Sequence, residues 1–217
     1  MILVPVKNLT NAKQRLSPVL DQDWRTALAH AMLHDVVDAL AMCPERPPVS
    51  LVTSDSFAMD LAREFDFEVI LDSANRSETD AIEMATHRCE LQGMESTLVI
   101  PADIPLIQPS EVAAILQAAP EEGSVLVPAA DGRGTNAVFR RPAALFPLQF
   151  GNDSFKPHLA AARATGKECV VLKLPGIALD IDNPSDLAAL VAASGSTRAQ
   201  CLIKQWNVSE LPVAANE

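Results

Sequence analysis

Met1-Ile2-Leu3-Val4-Pro5-Val6-Lys7-Asn8-Leu9-Thr10-Asn11-Ala12-Lys13-Gln14-Arg15-Leu16-Ser17-Pro18-Val19, the amino-terminal stretch, decides the fold. Its first six residues form an apolar run of the length of a buried strand, and the polar stretch after them leaves that strand at its carboxyl end. The first twenty residues contain Lys7, Lys13 and Arg15 and no acidic residue, although the chain as a whole has a net charge of -11. The global field therefore repels anions while this loop attracts them. Such a loop, at the carboxyl end of a first strand, suits a polyphosphate. A solvated basic loop is the alternative, and segments further along the chain decide against it.

The chain has 217 residues, 48% of them apolar, which matches one domain with a full-sized core. Strand-like runs at Ile2–Val6, Val49–Thr53, Phe67–Leu71, Thr97–Ile100 and Ser124–Val127 alternate with helix-like segments. That alternation predicts an α/β fold with a single, mainly parallel, doubly wound (Rossmann-like) sheet. Further strands are expected at Asn136–Arg140, Cys169–Leu174 and Ala178–Ile181. Helices are expected at Asp23–Met42, at Phe57–Phe65 after a Ser56 cap, at Glu78–Gln92, Ser110–Ala118 and Pro184–Ala193, and at Ser154–Thr165 with Asp153 as cap. One folded domain is expected over residues 1–193, and residues 194–217 lack a clear period and read as a surface arm or tail.

No apolar run approaches the roughly 20 residues that span a bilayer, and the chain opens on a strand rather than a signal peptide. A cytoplasmic protein with no membrane partner is expected. Cys43, Cys89, Cys169 and Cys201 are widely separated, which predicts free thiols in a reducing compartment rather than a zinc site or disulfides. The acidic balance and the lack of a basic stripe argue against nucleic acid. The reading leaves room for a homodimer.

Asp103 follows the apolar run Thr97–Ile100 at the point where the chain leaves the sheet, which in an open α/β sheet is where ligands bind. Leu179-Asp180-Ile181-Asp182-Asn183-Pro184 repeats the pattern, with Asp180 and Asp182 on one side of an extended segment. Together with Asp103 they offer carboxylates to Mg²⁺, which keeps waters and substrate phosphates in its shell and needs few protein ligands. Either Asp180 or Asp182 capping the helix at Pro184 is the competing account.

Asp131-Gly132-Arg133-Gly134-Thr135-Asn136 brings backbone N–H groups within reach of an anion, or is a simple hairpin turn. Phe150-Gly151-Asn152-Asp153-Ser154-Phe155-Lys156-Pro157-His158 sets a glycine and Ser154 at a helix start that favours phosphate or carboxylate, or merely caps it. His158 is near enough to be a candidate for substrate contact. His30 and His34, at i, i+4, lack a third ligand and read as packing residues.

With these segments in hand, the chain resembles the CofC/FbiD family of guanylyltransferases, relatives of the MobA-like nucleotidyltransferases. The resemblance runs from Met1 to about Leu190 on five segments in the same order: Val4–Lys7 with Ala12–Pro18, Ala102–Leu106, Gly134–Ala137, Phe150–Ser154 and Asp180–Pro184. It implies a nucleotide-diphospho-sugar transferase-like fold and transfer of GMP from GTP to a three-carbon phospho-acid, with release of pyrophosphate, in coenzyme F-420 biosynthesis. The acid would be 2-phospho-L-lactate, phosphoenolpyruvate or 3-phospho-D-glycerate. By the same resemblance Asp103 and Asp180 look like Mg²⁺ ligands with Asp182 close by, and Thr135, Gly151 and Ser154 look like the acid site. Lys7, Lys13 and Arg15 would meet the GTP phosphates.

Where the family carries a Leu-Asn pair after the third strand, this chain has Glu78-Thr79-Asp80, and Asp80 in that place would either accept hydrogen bonds from guanine or alter the nucleotide or acid preference. A noncatalytic sensor of nucleotides or phospho-acids on the same fold, and a nucleotide-sugar glycosyltransferase, are the competing functions. The retained carboxylates argue against the first. Asp103 followed by Ile104 and Pro105, rather than by a second aspartate one residue on, argues against the second.

Overall fold

The structure, a computed structural model, describes residues 1–74, 76–151 and 153–206. Among these residues seven strands form one sheet: β1 (Ile2–Val6), β2 (Val49–Thr53), β3 (Glu68–Leu71), β4 (Thr97–Val99), β5 (Gly123–Pro128), β6 (Thr135–Arg141) and β7 (Glu168–Val171). Their order is β3-β2-β1-β4-β6-β5-β7. The first four pair in parallel, β5 pairs in parallel with β7, and β6 runs antiparallel to both β4 and β5. The order reverses at β1 and β4, so the crevice beyond their carboxyl ends is where such a sheet opens for ligands. Because β6 runs the other way, its first residues, Thr135 and Asn136, lie at that same edge.

All five residues of β1 are buried, as a strand covered on both faces requires. Side chains alternate between faces. Ile2, Val4 and Val6 pack with Leu33, Val37 and Leu40 of α1 (Gln22–Met42), with α2 (Ser56–Glu64), and with Val112 and Ile115 of α4 (Pro109–Gln117). Leu3 points the other way, toward Ile82 and Ala85 of α3 (Glu78–Leu91) and Ala162 of α5 (Phe155–Ala164). A third cluster closes one end: Leu16 and Leu20 from the basic loop meet Leu28 and Met32 of α1, Ile181, and Leu187 and Leu190 of α7 (Pro184–Ala192). It seats the basic loop against the carboxyl-terminal carboxylate segment.

Several elements differ from the sequence-based expectation. Ala178–Ile181 is no strand; Pro175–Ala178 turns as a short helix, α6, and Asn136 Nδ2 holds the carbonyls of Ile177 and Ala178 at 3.0 Å each. A side chain thus does for this segment what a ladder partner would do. Helix α2 is capped by Asp55, whose carboxylate accepts from Ala58 N at 3.1 Å, rather than by Ser56. Asp153 does not cap α5: it adopts a left-handed conformation (φ 58°) and pairs with Arg133.

The largest difference is in the expected arm, where Arg198–Gln205 forms helix α8 packed on α1. Asp35 of α1, itself buried, accepts from the backbone N–H groups of Arg198 (2.7 Å) and Ala199 (2.9 Å), two groups that have no partner within α8. Pattern reading missed the helix because its short apolar stripe, Ala199 and Ile203, is completed by other elements. The remainder of the expected arm, 207–217, lies outside the described residues.

Replacing Asp35 by Ala leaves those two N–H groups without their acceptor. We expect a loss of about 1–3 kcal/mol in unfolding free energy, read from the midpoint of urea denaturation. An unchanged midpoint would mean that apolar contacts alone dock α8.

Candidate active site

One cleft of about 1040 Å³ runs along the carboxyl edge of the sheet, lined by the basic loop, the Asp103 turn, the β5–β6 hairpin turn, the Gly151–Ser154 segment and residues 178–186. Its volume matches a small-molecule site with room for a nucleotide and a second, smaller substrate.

At one end Lys13 is clamped between two carboxylates. The chain bends there through a left-handed residue, Lys13 itself (φ 56°, ψ 42°), a conformation that costs a non-glycine residue about 1 kcal/mol. The bend directs its ammonium group to Asp103 Oδ2 at 2.5 Å and Asp182 Oδ1 at 2.8 Å. Burial by itself would lower the Lys13 pKa, but Asp103 and then Asp182 outweigh it and hold the ammonium charged well above its ordinary range. Burial opposes ionisation of Asp182 too, and Lys13 and Arg15 reverse that effect, so its pKa is lowered. Arg15, mostly exposed, lies 3.8 Å from Asp182. Lys7, also on the cleft wall, pairs with Asp72 at 2.9 Å.

Asp180 is held by Asn136, whose Nδ2 donates to Oδ1 at 2.9 Å. Burial raises its pKa; the Asn136 hydrogen bond resists, and the neighbouring charges of Asp103 and Asp182 add to the rise. Neither Asp180 nor Asp182 caps α7. That role belongs to Asn183, whose side chain accepts from Ser185 N and Asp186 N, while Asp186 Oδ2 accepts from the backbone of Asp182 and Asn183. Both carboxylates are left to the cleft, and Ile181 N donates to Asp103 O at 3.1 Å, fixing the two acidic segments side by side.

The other side of the cleft carries hydroxyls and, at its exposed rim, charges that pair with each other, Arg133 with Asp153. Thr135 and Ser154 are buried, with their hydroxyl oxygens 3.3 Å apart. Gly151 sits at φ 134°, which a side chain rarely adopts, so its backbone is open to a ligand. Asn152, quoted in the same motif, lies outside the described residues. The turn 131–134 is indeed the hairpin joining β5 to β6, and its Arg133 forms an exposed ion pair with Asp153. One amide of the α5 start, Phe155 N, is already taken by Arg133 O at 2.8 Å.

The structure thus brings together Lys7, Lys13, Arg15, Asp103, Thr135, Gly151, Ser154, Asp180 and Asp182 along one cleft. Asp80 is not among its lining residues: it is exposed on α3 and accepts from Ser77 Oγ at 2.8 Å. The neighbour that enters the cleft is Glu78, whose pKa is raised to about 7 by burial and by the charge of Asp103, against the pull of Lys13. Sequence reasoning passed over Glu78 because any acidic residue in a first turn reads as a helix-dipole partner. It also left out Asn136, although the residue lay within a quoted motif. His30 and His34 pack about the Phe57 ring, His30 stacked on it with centroids 3.7 Å apart. His158 lies not in the cleft but behind Thr135, 1% exposed.

By its relatives this chain is a nucleotidyltransferase, and its sheet brings Asp103 beyond β4 and a basic loop after β1 to one cleft. Its fold is shared with a putative nucleotide-diphospho-sugar transferase from Desulfovibrio desulfuricans G20, at a TM-score of 0.77 and 18% identity, covering 95% of this chain and 94% of that one. Residues 1–214 match the family model described as guanylyl transferase CofC like, and the chain belongs to that family. It is 38% identical over 199 residues to a phosphoenolpyruvate guanylyltransferase from Rubrobacter xylanophilus, covering 89% of this chain and 94% of the relative. It is 31% identical over 210 residues to a 2-phospho-L-lactate guanylyltransferase from Methanothermobacter thermautotrophicus, covering 97% and 92%. Among the described residues, no helix is long and apolar enough to cross a membrane.

Burial first, and then the Arg140 charge, hold His158 neutral down to a pKa of about 4, against about 6.5 in an unfolded chain. Below pH 6.5 the unfolded state takes up a proton that the folded state refuses, so stability falls as pH drops toward 4. The full effect is about 3 kcal/mol. Urea melts from pH 7 to 4.5 should show this loss in the wild type and lack it in His158→Asn; parallel curves would contradict the buried neutral ring.

Proposed function

We propose that the chain transfers GMP from GTP to the phosphate of a three-carbon phospho-acid in the making of coenzyme F-420, releasing pyrophosphate. The observation that carries the reading is one cleft that holds the Lys13, Asp103 and Asp182 cluster together with the Thr135 and Ser154 hydroxyls, in a chain 38% identical to a phosphoenolpyruvate guanylyltransferase. Phosphoenolpyruvate is the first acid to test, with 2-phospho-L-lactate and 3-phospho-D-glycerate beside it. Four free cysteines suit the reducing cytoplasm in which GTP and such acids are found.

In this reading an oxygen of the acid's phosphate attacks the α-phosphorus of GTP. A P–O–P bond forms as the bond to the β-phosphate breaks and pyrophosphate departs. A phosphomonoester has a second pKa near 6 and is largely ionised at neutral pH, so the site needs no general base. Its work is to hold two anions together and to align them. Lys13 and Arg15, with Lys7, would meet the triphosphate; Thr135 and Ser154 hydroxyls and the Gly151 backbone would hold the acid.

Asp103 and Asp180, with Asp182 beside them, would hold Mg²⁺. The donor set fits in kind: all-oxygen ligands, and an Asp180 whose ionisation is resisted by its carboxylate neighbours, a repulsion that a divalent cation relieves. No three His, Cys, Asp or Glu side chains among the described residues suffice by themselves, which suits an ion that completes its shell with waters and substrate phosphates. When bound, the ion supplies neutralisation of the triphosphate charge.

The test is a matrix of GTP, ATP, CTP and UTP against the three acids with Mg²⁺, read by mass spectrometry. A guanosine diphospho-acid is expected; no product with any pair would favour the sensor. Asp103→Asn and Asp180→Asn should each abolish turnover while melting within a few degrees of the wild type, since an amide binds Mg²⁺ far more weakly than a carboxylate. Near-normal pyrophosphate release by either would remove that carboxylate from the reaction. Lys13→Ala and Arg15→Ala should impair GTP use, whereas Ser154→Ala should lower kcat/KM for the acid about 10- to 150-fold, the cost of one neutral donor to an anion. A Lys13 or Arg15 defect confined to the acid would place the two substrates the other way round.

A further inference from the structure

Behind the proposed acid site the ring of His158, on α5, is locked from its far side. Its Nε2 lies 2.8 Å from the backbone N of Gln149. A backbone N–H can only donate, so Nε2 accepts and bears no proton. A neutral imidazole has one N–H, which must then be on Nδ1, 3.0 Å from Thr135 Oγ1. Thr135 Oγ1 accepts from the ring. Ser154 Oγ donates to the same oxygen at 3.3 Å, and a hydroxyl that accepts from both keeps its own hydrogen for the cleft. Whichever way the internal bond between the two hydroxyls runs, at least one O–H of the pair faces the cleft, and both do when a ligand breaks that bond. With the opposite tautomer Thr135 would spend its hydrogen on the ring, and the pair would offer a ligand one donor fewer. Phe150, edge-on to the ring with centroids 5.1 Å apart, keeps the imidazole in this plane.

Resting on the acid-site reading above, we infer that His158 is a positioning residue that turns Thr135 and Ser154 into an outward-facing pair of hydrogen-bond donors for an ionised oxygen of the phospho-acid. No atom of the ring touches the ligand, and the effect travels through one hydroxyl.

Two measurements test it. In the wild type at pH 7, long-range ¹H–¹⁵N spectra of the imidazole should show His158 protonated at Nδ1; protonation at Nε2, or a rapid average of the two, overturns the inference without any variant being made. In kinetics, His158→Leu should lower kcat/KM for the acid about 10-fold or more and leave the GTP value within about twofold. His158→Asn, whose amide can still donate to Thr135, should recover most of that loss. On a Thr135→Val background His158→Leu should cost nothing further. An additive loss in the double variant, or an equal loss toward GTP, overturns the relay while leaving the acid site in place. A Thr135→Val variant with unchanged kcat/KM for the acid overturns the acid-site reading and the relay with it.

Discussion

Lys13, held at once by Asp103 and Asp182, is the interaction on which the site depends. It joins the loop after β1, the turn after β4 and the segment before α7, partners 90 and 169 residues away in sequence. A buried ion pair of this kind contributes little net stability, because the desolvation of its members offsets much of their attraction. Its consequence is registry: one ammonium group shared by two carboxylates fixes the three segments in a single arrangement, and either carboxylate still partners Lys13 when the other is neutralised. The left-handed turn at Lys13 and the apolar contacts of Leu16 with the Ile181 region support the same arrangement from the backbone and from the core.

In the proposed reading the cleft would offer two kinds of anion recognition. At the Lys13 end, charge is met by charge, and the excess of carboxylates over cations there invites a further cation along with a polyphosphate. At the Thr135 end, hydroxyls and an open backbone meet an anion with neutral donors, a weaker but more directional grip. In the proposed reaction the triphosphate and the smaller acid would each fall to the end suited to its charge density, and the attacking oxygen would approach from the hydroxyl side.

Much of this was legible in the sequence, and the parts that were not have physical reasons. The buried run Met1–Val6 follows from its unbroken apolar character, as a strand covered on both faces reads, and the helix after Asp21 from the spacing of Leu28, Met32, Val36, Val37 and Leu40. Asp103 was found because it ends a strand. Sequence could not choose between capping and cleft for Asp180 and Asp182, because Asn183, the actual cap, looks no different on paper from its neighbours. The strand expected at Ala178–Ile181 is an apolar segment held by Asn136, a long-range contact that no local pattern encodes. Helix α8 escaped although its start carries a local capping box, Thr197 with Gln200, because its apolar stripe is too short to show a period. Glu78 and Asp80 differ by two positions on α3, enough to turn one into the cleft and the other to solvent.

The central claim is that an oxygen of the acid's own phosphate attacks the α-phosphorus of GTP. The phospho-acid that gives product, labelled with ¹⁸O in the terminal oxygens of its phosphate and reacted with unlabelled GTP, tests this by ³¹P NMR of the products. The account predicts ¹⁸O in the bridge between the two phosphorus atoms of the product and none in pyrophosphate. Label appearing in pyrophosphate, or a product whose bridging oxygen is unlabelled, would contradict it.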